Sequence, residues 1–150
     1  MLEEKGLTYE VIAEFQYALI VSNASPIASK ETISFSDLLP LMEISHGDPY
    51  VPSLPMSVVM KEEHNEDVKR RVFLFERGSQ FDLLTENPET FMWVSPLPKK
   101  LLQRYDLCLK HCIDNTKIYK DVLIYRKDYS LSDLDNMFIT ELIESKRKCF

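Results

Sequence analysis

Apolar residues recur at every second position from Tyr9 to Val21. Tyr9, Val11, Ala13, Phe15, Tyr17, Leu19 and Val21 fall on one side of a period-two element, while Glu10, Glu14 and Gln16 sit on the other, which turns apolar toward Ile20. Val11, Phe15 and Ala18 also share a helical face. The β-branched and aromatic content, with Asn23-Ala-Ser-Pro26 as a stop signal, favours one strand entering a core. Glu31–Phe35 is short and alternating and predicts a second strand, paired with the first across a long loop.

Asp37 to Glu43 reads as a short helix capped by Asp37, which places Pro40 at the third helical position, where its missing N–H costs little. His46 to Pro55 holds four chain breakers and predicts an irregular surface crossing. Met56–Met60 and Val68–Phe75 have strand composition and predict a hairpin around the charged loop 61–67. Arg77-Gly-Ser79 predicts a turn, Phe81–Leu84 a short strand or helical turn, and Thr90–Val94 a strand in which Trp93 packs.

From Lys99 the period changes. Leu101, Tyr105, Cys108 and Cys112 recur at helical spacing and predict a helix running through Cys112. Ile118–Arg126 returns to strand chemistry, and its run Val122-Leu-Ile-Tyr125 is so nearly continuous that it predicts an internal strand covered by a helix. Ser132 then caps a final helix with Asp135 at the third helical position. In that helix Leu134, Phe138 and Leu142 are expected to face the core, and Lys146, Arg147 and Lys148 suit its C-terminus. The layout is α+β: a mainly antiparallel sheet with a short early helix and two packed C-terminal helices, in one compact domain over residues 1–150.

Composition narrows the function. A chain of 150 residues that is 45% hydrophobic can bury one core and is too apolar for a disordered regulator. Three Gly residues leave little material for a phosphate-cradling loop. With 24 acidic against 18 basic residues the formal charge is −6, which disfavours a general nucleic-acid coat or an anionic-membrane binder. Three Cys, clustered late, do not form the pattern of a secreted disulfide scaffold; together with an N-terminus that lacks a signal-peptide pattern they predict a reduced cytoplasmic or nuclear setting.

The chemical candidates are thin. Cys108, His111 and Cys112 on one helical face, with remote Cys149, form a trio that Zn²⁺ or a reactive Cys–His pair would use, but structural zinc needs two separated ligand pairs. His64 among Glu62, Glu63, Glu66 and Asp67 lacks the calcium-loop spacing, and no HExxH motif is present. His46-Gly-Asp48 has no accompanying nucleophile, and Pro52 with Pro55 is only a minimal PxxP spacing. No catalytic residue, metal ligand or cofactor is therefore assigned. The expectation is a non-enzymatic protein-interaction or assembly module with a protein partner or a second copy and no membrane association. Its candidate contact residues are Tyr50, Val51 and Leu54 in the Pro-rich crossing, Glu62 and Glu63 in the acidic loop, and Met137 on the last helix. The alternatives are a small acid/histidine hydrolase or nuclease, and a nucleic-acid-associated subunit using Lys69–Arg71 and Lys146–Lys148.

Overall fold

A computed structural model describes residues 3–46 and 68–148. The chain divides into two compact units: Ala18–Val94 with Lys99–Asn115, and Met1–Tyr17 with Ser95–Pro98 and Thr116–Phe150. The expected architecture holds in outline, with a sheet core, an early short helix and C-terminal helices in an α+β arrangement.

The strand expected over Tyr9–Val21 is two strands. β1 is Leu7–Phe15 and β2 is Ala18–Ser22, and the break at Gln16 and Tyr17 falls at the boundary between the units. The alternation continues across the break, so pattern alone joins what the tertiary structure separates. β3 is only Thr32–Ile33, α1 is Phe35–Leu38 and β4 is Met42–His46. Asp37 is thus not the cap but the third residue of α1: its Oδ2 accepts from the backbone N–H of the capping residue Ser34 at 2.9 Å. The helix ends before Pro40, and Met42 and Glu43 go to a strand instead.

β5 is Arg71–Leu74, α2 Arg77–Glu86 and β6 Thr90–Val94. The hairpin partner expected for β5 lies outside the described residues; the observed partner is β4, and the pairing is parallel. Arg77-Gly-Ser79, expected as a turn, opens α2, because the Glu76 carboxylate accepts from the N–H of Gly78 at 2.7 Å and of Ser79 at 2.6 Å. α3 is Lys99–Arg104 and β7 is Leu107–Cys112. The helix expected to reach Cys112 stops because Asp106 adopts φ 51°, a left-handed conformation that Asp tolerates and that ends a helical turn. Its backbone and side chain both hold Asn23, through Asn23 N–H to the Asp106 carbonyl at 3.0 Å and Asn23 Nδ2 to Asp106 Oδ1 at 2.7 Å.

The six strands of this first unit run in the order β3-β7-β2-β6-β4-β5. Antiparallel ladders at the centre join β2 to β6 and β7, while the flanking pairs β3–β7, β4–β6 and β4–β5 are parallel. Both faces are covered. On one, Leu19, Val21, Phe91 and Cys112 pack with Ile27, Ile33, Leu38, Leu41 and Val68, and Trp93 meets Phe35 edge-on at 6.4 Å on the margin. On the other, α2 lies against β2, β5 and β6 and brings in Phe81 and Leu84, and α3 lies against β7. Each fully buried Leu, Ile or Phe contributes about 1.5–3 kcal/mol, so these two layers hold the unit together.

The second unit is smaller. β8, Tyr119–Arg126, pairs antiparallel with β1, and α4, Asp133–Arg147, crosses one face of the ribbon. Opposite Val122 and Asp121 stand Val11 and Ala13, so Ile12 is an extra residue that bulges β1. The cap at Ser132 forms as expected: Asp135 Oδ2 accepts from the Ser132 N–H at 2.8 Å and from its hydroxyl at 2.7 Å.

Candidate interaction surface

α4 presents a polar-edged inner face and an apolar outer one. Inward, Ile139 is buried, Leu142 and Ile143 are half-buried, and Lys146 bonds Asp121 on β8 while standing 5.8 Å from the centre of the Phe15 ring. Phe15 stacks on Tyr119 at 6.1 Å, Tyr17 closes the group at 4.3 Å from Tyr119, and Lys117 Nζ lies over the Tyr119 ring at 4.9 Å from its centre. This aromatic cluster is the real setting of Phe15, in place of the core with Leu19 that the alternation implies.

Outward, Leu134, Met137 and Phe138 form a stripe at helical spacing and are 74%, 65% and 60% exposed. Met137, the contact candidate on this helix, is among the exposed residues. Leu134 and Phe138, expected inside, are not; Ile139 is the anchor, because the ribbon under α4 is only two strands wide and covers a narrow arc of the helix. Tyr50, Val51, Leu54, Glu62 and Glu63 lie outside the described residues, as does His64.

A second apolar surface was not anticipated. In β8 the side chains alternate: Tyr119, Asp121, Leu123 and Tyr125 are half-buried toward α4, whereas Lys120, Val122, Ile124 and Arg126 face out. Val122 stands opposite Val11 and Ile124 opposite Tyr9, all four exposed. The internal strand expected here is therefore, among the described residues, paired on one side only. Lys120 and Glu14, 2.6 Å apart, border this face, and their bond raises the Lys120 pKa. A shallow cleft of about 280 Å³ opens between the bulge and the end of α4, lined by Ile12, Ala13, Glu14, Lys146 and Arg147.

Among the described residues the chemical alternatives do not assemble. On a strand, Cys108 and Cys112 share a side four residues apart and His111 points to the other, so the trio cannot converge on a metal. Burial pushes both thiols up, away from the thiolate a nucleophile needs. Among the described residues no group of three or more His, Cys, Asp or Glu could hold a metal ion. His46 ends β4 with Gln80 Nε2 at 3.5 Å from its Nδ1. Of the basic residues, Arg71 is committed to buried Glu43 and Lys146 to Asp121. Among the described residues no helix is long and apolar enough to cross a membrane.

No protein-family model matches the chain, and no curated protein matches it in sequence. Solved structures match it in fold. The regulatory domain of MetR, a LysR family regulator from N. meningitidis, superposes with a TM-score of 0.62 at 12% identity, over 94% of this chain and 64% of that one. The effector-binding domain of QuiR in complex with shikimate matches with a TM-score of 0.63 at 14% identity, over all of this chain and 70% of that one. The CcmR regulatory domain of Synechocystis PCC6803 in complex with 2-PG gives 0.63 at 14% identity, over 94% and 67%. The chain thus spans about two thirds of the length of these domains. The α+β fold matches that of the LysR-type regulatory and effector-binding domains named here.

Proposed function

We propose that residues 1–150 work as one non-enzymatic regulatory domain, which takes a small-molecule effector and assembles with a second copy through the outer stripe of α4. The observation that carries this reading is the fold: nearly the whole chain superposes on regulatory and effector-binding domains, two of them holding a small molecule. The stripe Leu134, Met137 and Phe138 supplies the apolar contact, with Met137 able to adapt to a partner surface. Asp133, Glu141 and Glu144 around it keep the free domain soluble. Such a module belongs in the cytoplasm of a bacterial cell rather than in a nucleus.

Two measurements on one preparation test the reading. Sedimentation across a concentration series should show a dimer that Met137→Asp weakens at least about tenfold, a loss of about 1.4 kcal/mol. Unfolding temperature measured with shikimate, 2-PG and other small organic acids should rise with dose for at least one of them. A protein that stays monomeric removes the assembly role, and one that no acid stabilises removes the effector role.

A further inference from the structure

We draw no further inference here: the strongest candidate, the exposed apolar face that Tyr9, Val11, Val122 and Ile124 form on the ribbon of β1 and β8, carries nothing because nothing in the structure shows what covers it.

Discussion

Phe138 and Ile139 are neighbours on α4 and face opposite ways: Phe138 is 60% exposed, Ile139 8%. One step of an α-helix turns a side chain by about 100°, enough to carry it from the ribbon to solvent when the covering surface is narrow. Ile139→Ala should therefore cost about 2–4 kcal/mol, the range for truncating a buried aliphatic side chain. Phe138→Asp, measured dilute enough that the chain is monomeric, should cost less than about 1 kcal/mol, little more than the helix propensity difference. Urea unfolding of the two variants separates them; equal losses would reverse the assignment of the helix faces.

Arg71 holds the carboxylate of Glu43 through Nε at 3.0 Å and Nη2 at 2.7 Å, and Ser45 donates to the other oxygen at 3.1 Å. Glu43 is 2% exposed, so removal of the guanidinium takes two charge-assisted hydrogen bonds from a buried carboxylate. Arg71→Met should destabilise by about 3 kcal/mol, and Glu43→Gln in the same chain should recover much of it. A double variant as unstable as Arg71→Met alone would show that the loss is one of packing rather than charge.

Ser132 is the cap of α4, and Asp135 also takes the Tyr129 hydroxyl at 2.8 Å. Ser132→Ala removes a donor to Asp135 and the acceptor for the Asp135 N–H, and should cost about 1 kcal/mol. Helix content by circular dichroism and the unfolding midpoint should fall together, with Ser132→Asp restoring most of the loss. An unchanged midpoint in Ser132→Ala would count against the cap.

Lys30, with the N–H and hydroxyl of Ser34, lowers the Asp37 pKa from 3.8 to about 2. The unfolded chain binds a proton here more readily than the folded one, so the contribution is complete above about pH 4 and is lost as pH falls through the folded value near 2. Asp135 and Glu76, lowered by the Ser132 hydroxyl and the Ser79 N–H respectively, act in the same direction at the starts of α4 and α2. A carboxyl titration followed by NMR should place the Asp37 midpoint close to 2; a midpoint near 3.8 would mean that the Lys30 bond does not persist in solution.

The parts of this protein that were legible in its sequence are those settled within a few residues of chain. Thr90–Val94 and Tyr119–Arg126 carry strand composition between turn signals, and both are strands. Ser132 and Asp135 sit three apart before an apolar run, and they cap. Alternation, capping and breakers are local, so neighbouring residues alone encode them. The tertiary structure decided what depends on distant surfaces. Leu107–Cys112 keeps a helical spacing of apolar residues, yet β2 and β3 offer it two ladder edges and Asp106 turns the chain into them. Tyr9–Val21 alternates throughout, yet its halves find partners in different units. Whether Phe138 or Ile139 is covered depends on the width of a ribbon whose strands lie far apart in the chain. Side-chain periodicity states which residues share a face; only packing states whether anything lies against it.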